Sequence, residues 1–147
     1  MFKNNKIKIC LHIGLHKTGS TFLQDKIFCN IKNIQYLGRD NSGVWHTENR
    51  DIFLKDIVHL DFKKFEYKYK NLDIVSFLDI NIEKINLLSE EKLSSLFYSS
   101  ENLDELFKRI KLIFKESIFD LKILYFIRNQ KNIILSRYSE NSLLFNK

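Results

Sequence analysis

The 147-residue chain contains no proline and only four glycines. A Pro/Gly-rich linker is therefore excluded, and no internal repeat, low-complexity run or composition break marks a second domain. The missing proline accompanies a bias toward Lys, Asn, Ile and Phe of the kind an AT-rich genome imposes, so it carries no structural weight by itself. The two cysteines, Cys10 and Cys29, make no disulfide framework, and they lack metal-ligand spacing. Buried thiols suit a reducing compartment, so a cytoplasmic setting is expected. No stretch is long and apolar enough to span a bilayer. The lysines are scattered, and no compact basic-aromatic platform stands out, which argues against nucleic acid as a partner.

What is present reads as globular. At 44% hydrophobic and 29% charged, the chain can bury a real core, and its length suits one domain. Thirteen Phe and six Tyr supply much of the apolar volume. The net charge of +6 fits either ordinary surface charge or an anionic ligand.

Residues 7–13 alternate and then become continuously apolar, as a buried parallel strand does. Residues 20–31 read as a helix, with Phe22, Leu23, Ile27 and Ile31 at helical spacing. A short strand is expected near 35–38 and a turn at 41–43. Residues 48–60 suit a helix through Ile52, Phe53, Ile57 and Leu60, whereas 61–70 has poor periodicity. Residues 72–88 read as partly helical, with Ile74, Phe77, Leu78, Ile82 and Ile85 as core candidates. A strand is expected over 94–99, stopping at Ser100-Glu101. A helix capped by Asn102 then runs to about 118, with Leu103, Leu106, Phe107, Ile110, Ile113 and Phe114 on its apolar side. Residues 121–127 read as another strand, and a last helix begins at Asn129 or Gln130. Strands alternating with helices imply an α/β fold with a parallel sheet, whose ligands bind beyond the carboxyl ends of the strands.

The most informative stretch is Leu11-His12-Ile13-Gly14-Leu15-His16-Lys17-Thr18-Gly19-Ser20-Thr21-Phe22-Leu23-Gln24. An apolar strand enters a Gly/Lys/Thr/Ser turn, and the turn enters a helix. Unpartnered N–H groups and the helix dipole favour an anion there. Lys17 adds a positive charge, Thr18, Ser20 and Thr21 add hydroxyl donors, and Gly19 lets backbone approach a ligand. The Walker pattern puts lysine directly after its second glycine. Here Ser20 follows Gly19 and the lysine stands at 17, which counts against a nucleotide kinase.

His16-Lys17-Thr18-Gly19-Ser20-Thr21-Phe22-Leu23 resembles the 5′-phosphosulfate loop of the sulfotransferase family. Ile123-Leu124-Tyr125-Phe126-Ile127-Arg128-Asn129-Gln130-Lys131-Asn132-Ile133-Ile134-Leu135-Ser136-Arg137-Tyr138 is similar to that family's 3′-phosphate motif. The two together, in this order, form the specific signal. The resemblance implies a three-layer α/β/α fold around a central parallel sheet, with a P-loop NTPase-like sulfotransferase core. It also implies a single domain over 1–147 that is incomplete at its C-terminus, since members of the family are longer. The implied donor is 3′-phosphoadenosine 5′-phosphosulfate, with no metal, and the implied acceptor is a hydroxyl, with a carbohydrate as one candidate.

On that reading Lys17 meets charge developing on the oxygen between phosphate and sulfur. Thr18, Gly19, Ser20 and Thr21 cradle the 5′-phosphate. Arg128 grips the 3′-phosphate with its planar fork, and Ser136 adds a hydroxyl. The acceptor needs a base, a Glu or a His in this family. Glu101 is the first choice, set against a plain helix-terminal role. Glu48, His46 and His59 are its rivals. His16 lies in the loop, and His12 is expected within the strand. A signal peptide is not expected, because its removal would delete the loop. The alternatives are a non-catalytic nucleotide-binding remnant and, further off, a nucleotide kinase.

Overall fold

The computed structural model describes residues 6–14, 20–39, 47–90, 93–94 and 100–126, with backbone only at 100 and 101. Four strands form one all-parallel sheet in the order β2-β3-β1-β4. They are β1 (Ile7–Gly14), β2 (Ile34–Tyr36), β3 (Ile85–Ser89) and β4 (Phe119–Phe126). Helices separate them, so the chain is α/β. The expectation of a parallel sheet is met.

The alternation of β1 decides what each face of the sheet does. Ile9, Leu11 and Ile13 point into one apolar core together with Leu88 of β3. Helices supply the other half of that core. α2 (Glu48–His59) contributes Phe53, Leu54 and Ile57, α3 (Phe62–Tyr69) contributes Phe65 and Tyr69, and α5 (Ser100–Ile113) contributes Leu106, Ile110 and Ile113. Arg109 of α5 binds these helices together. Its guanidinium donates to the carbonyls of Ile57 at 2.7 Å and Leu60 at 2.6 Å, and so satisfies the orphan acceptors where α2 ends.

The opposite face of β1 carries Cys10 and His12. The helical segment after the first loop covers it: α1 (Ser20–Phe22), one π-helical turn over Leu23–Ile27, then a 3₁₀ turn over Phe28–Asn30. Phe28 is its buried apolar residue. The apolar stripe expected for this helix is corrected, since Phe22, Ile27 and Ile31 are exposed. The π turn adds a residue to the turn and rotates the stripe off the sheet.

Three expectations in the middle of the chain are also corrected. The unassigned stretch 61–70 is α3, begun by Asp61, whose side chain accepts from the Lys63 and Lys64 amides. The expected helical stretch over 72–88 breaks into α4 (Ile74–Phe77) and strand β3. The chain turns between them at Asp79, where φ is 55°. Buried Arg50 fixes that turn, donating to the Leu78 carbonyl at 3.0 Å and to the Asp79 carboxylate at 3.2 Å. Ile74 and Leu78 are core residues as expected, but Ile82 and Ile85 are exposed. The strand expected over 94–99 is corrected only at its first residue. Ser94 lies in a short helical turn, 95–99 fall outside the described residues, and Ser100 opens α5. The last expected helix, from 129, also falls outside them. Among the described residues, no helix is long and apolar enough to cross a membrane.

Candidate functional site

β1 and β3 are neighbours, but their chains leave in opposite directions. After β1 the chain passes beyond β3 to form β2, and after β3 it crosses β1 to form β4. Such a divergence opens a crevice at the carboxyl ends of the strands, where open parallel sheets bind ligands. β1 ends there at Gly14, and the helical segment resumes at Ser20. Gly14 and Ser20 abut. A Cβ on Gly14 would stand 1.8 Å from Ser20 Oγ, so the glycine is what lets helix and strand meet.

A buried polar cluster lies beneath this junction. His12 and Ser89 are partners in the β1–β3 register, and both are almost fully buried. His12 Nδ1 lies 2.7 Å from Ser89 Oγ, and Gln24 Nε2 donates to the same oxygen at 2.9 Å. Phe28 and Phe126 make edge contacts with the imidazole at 5.0 and 5.3 Å between centroids. His12 Nε2 has no hydrogen-bond partner among the described residues. Burial pushes the His12 pKa down to about 4, so the ring is neutral at physiological pH. The Tyr36 hydroxyl is buried nearby, and burial holds its pKa well above the ordinary value. It lies close enough to Ser89 for that hydroxyl to oppose the rise, yet outside hydrogen-bond geometry.

Glu90 follows Ser89 where β3 ends. It is 6% exposed, its amide donates to the His12 carbonyl at 3.2 Å, and Arg39 Nη2 lies 3.9 Å from its carboxylate. A carboxylate is rarely buried without such a partner. Sequence reading missed Glu90 because it absorbed β3 into a helix. The signal was the apolar run Ile85-Asn86-Leu87-Leu88 ending in Ser89-Glu90, a strand that stops on polar groups.

The expected site residues divide as follows. Ser20 is buried at the start of α1, and Thr21 beside it is exposed. Lys17, Thr18, Gly19, His16, His46, Arg128 and Ser136 lie outside the described residues. Glu101 does not close a strand, because Ser100–Ile113 is helical and Glu101 sits in its first turn. Glu48 and His59 are exposed at the two ends of α2, the helix packed on the face opposite His12. Cys10 and Cys29 are half-buried and form no disulfide, and the Cys29 thiol donates to the Asp25 carbonyl at 3.1 Å.

A separate cavity of about 850 Å³ opens beyond Tyr36, toward the amino end of β3, lined by Cys29, Gln35, Asp79, Asn81 and Lys84 among others. It is not the strand-end crevice. Among the described residues, no three His, Cys, Asp or Glu side chains group as a metal site. The chain matches no family model, no curated protein and no solved structure.

Proposed function

We propose that the chain is the nucleotide-binding part of a sulfotransferase. It would move a sulfuryl group from 3′-phosphoadenosine 5′-phosphosulfate to a hydroxyl, with a carbohydrate as one candidate acceptor. Its core on this reading is the three-layer α/β/α sulfotransferase core, in a cytoplasmic setting that suits two cysteines outside any disulfide. One observation carries the reading. Gly14, which leads into the Lys17 loop, is the register partner of Phe126, two residues before Arg128. Adjacent strands lie about 4.8 Å apart. The segments that lead into the two proposed phosphate motifs therefore reach the end of the sheet side by side, which supports one nucleotide with phosphates at both ends of its ribose.

The chemistry follows from charge. The acceptor oxygen attacks sulfur, the bond from sulfur to the bridging oxygen breaks, and 3′-phosphoadenosine 5′-phosphate leaves. Lys17 meets the charge that appears on the bridging oxygen. The acceptor's proton needs a base at the mouth of the crevice. Glu90 now stands ahead of Glu101 for that role, because it directly follows the strand beside β1, with Arg39 Nη2 3.9 Å from its carboxylate.

Calorimetry tests the reading. The chain is expected to bind 3′-phosphoadenosine 5′-phosphate at least tenfold more tightly than ATP or adenosine 5′-phosphosulfate. Equal affinities would remove the assignment.

A further inference from the structure

The buried cluster joins three parts of the chain that the loop separates. His12 lies two residues before Gly14, Gln24 lies four residues after Ser20, and Ser89 ends the neighbouring strand. The three side chains meet at one oxygen. Ser89 Oγ takes the Gln24 amide at 2.9 Å and lies 2.7 Å from His12 Nδ1. A ring of contacts is thereby closed: from His12 along the loop to Gln24, then back through Ser89. The Gly14–Ser20 contact pins the same loop one level higher.

Glu90 is referred to the same point. It is covalently next to Ser89, and its amide donates to the carbonyl of His12. A shift of Ser89 relative to His12 would thus move the loop ends and the carboxylate together.

The cost of this arrangement argues that it does more than fill space. The other face of β1 is packed by Ile9, Leu11 and Ile13, with apolar helices over them. A similar apolar plug would serve structure alone at His12, Ser89 and Gln24. Instead an imidazole and a hydroxyl are buried there, and burying polar groups costs free energy unless they are hydrogen-bonded. Polar groups are buried at this cost where position has to be specified.

We propose that Gln24, Ser89 and His12 form a clasp that fixes the two ends of the loop and Glu90 in one geometry. On the function proposed above, they are positioning residues for its anion. That the anion is a sulfonucleotide rests on the function proposed above; the clasp itself rests on the contacts.

The test combines hydrogen exchange in the ligand-free chain with calorimetry, using 3′-phosphoadenosine 5′-phosphate as the probe. Gln24→Ala and Ser89→Ala are expected to speed amide exchange over residues 20–30 about tenfold, with α2 and α5 unchanged. Both are expected to weaken the nucleotide by a similar factor, and Ser89→Thr, which keeps the hydroxyl, restores both readouts. Gln24 is half-buried on the helix, so its variant carries the test if Ser89→Ala fails to fold. Unchanged exchange over 20–30, or acceleration spread evenly through the chain, overturns the clasp. So does nucleotide affinity that stays at the wild-type value while local exchange speeds up. If the wild-type chain ignores the nucleotide, the sulfonucleotide reading fails, and the exchange pattern alone decides the clasp.

Discussion

Lowering the pH from 7.5 to 5 should destabilise this chain through His12. An unfolded histidine titrates near 6.5, and in the folded chain burial holds His12 at about 4. Between those values the unfolded state binds a proton that the folded state refuses. Stability therefore falls as pH falls: the contribution is fully present above 6.5, drains away through the window, and is gone below about 4. The gap corresponds to roughly 3 kcal/mol in all, and about 2 kcal/mol of it is already lost at pH 5. Against a total of about 5–15 kcal/mol for a typical domain, that loss is easily measured.

Urea unfolding followed by far-ultraviolet circular dichroism, at half-unit steps of pH, gives the curve. Carboxylates also titrate toward the acid end, so the decisive quantity is the difference from His12→Asn, which cannot take up the proton. The variant is expected to be less stable than wild type at pH 7.5, because Ser89 loses its partner. The two curves should converge by about 2 kcal/mol on reaching pH 5. Parallel curves would refute the argument. They would mean that His12 charges as readily in the folded chain as in the unfolded one, and hence that the cavity around it admits water.

Four further outcomes are expected. Gly14→Ala drives a methyl group into Ser20 Oγ and should cost about 1–3 kcal/mol in urea unfolding; no loss would mean that the Gly14–Ser20 junction is loose. Arg128→Ala should weaken 3′-phosphoadenosine 5′-phosphate by about 1.5–3 kcal/mol, and Ser136→Ala by less, with adenosine 5′-phosphosulfate barely affected. Equal losses for both ligands in calorimetry would make the two residues structural. Lys17→Ala should lower turnover with the sulfonucleotide donor and a carbohydrate acceptor about 100-fold, with a much smaller change in donor affinity; normal turnover at saturating donor would reduce Lys17 to a binding residue. Glu90→Gln should lower the same turnover about 100-fold or more while Glu101→Gln leaves it nearly intact, and the reverse order would return the base to Glu101.

The parts of the fold that were legible are those where one periodicity dominates. β1 and α2 were readable because Ile9, Leu11 and Ile13 alternate, while Phe53 and Ile57 repeat at helical spacing, and each pattern has one buried face. α3 was not, because its eight residues hold only Phe65 and Tyr69 inward, and the cap at Asp61 is a single short side chain. β3 was hidden for a different reason. Ile82 and Ile85 stand at a spacing that continues the helical rhythm of Ile74 and Leu78, yet both face solvent. What breaks the rhythm is tertiary. The turn at Asp79 depends on Arg50, 29 positions away in sequence, and the strand begins only where Asn86 can gather the carbonyls of Lys8, Asn81 and Lys84.

The same misreading bears on the proposed base. A strand was expected to stop at Ser100-Glu101, and β3 stops at Ser89, just before Glu90. The rule behind that choice is that open parallel sheets bind ligands beyond the carboxyl ends of their strands. Glu101 lies in the first turn of α5, whereas Ile85 to Ser89 is paired in register with β1 and leads directly to Glu90. β1 pairs with β3 from Lys8 to His12, and that pairing brings Ser89 to His12. The polar cluster is a consequence of register, not of any local motif. Its three members stand at 12, 24 and 89, and nothing in their immediate neighbours marks them as a group. A motif read from sequence can name the loop, but the side chains that hold the two ends of that loop together become visible only once the sheet is assembled.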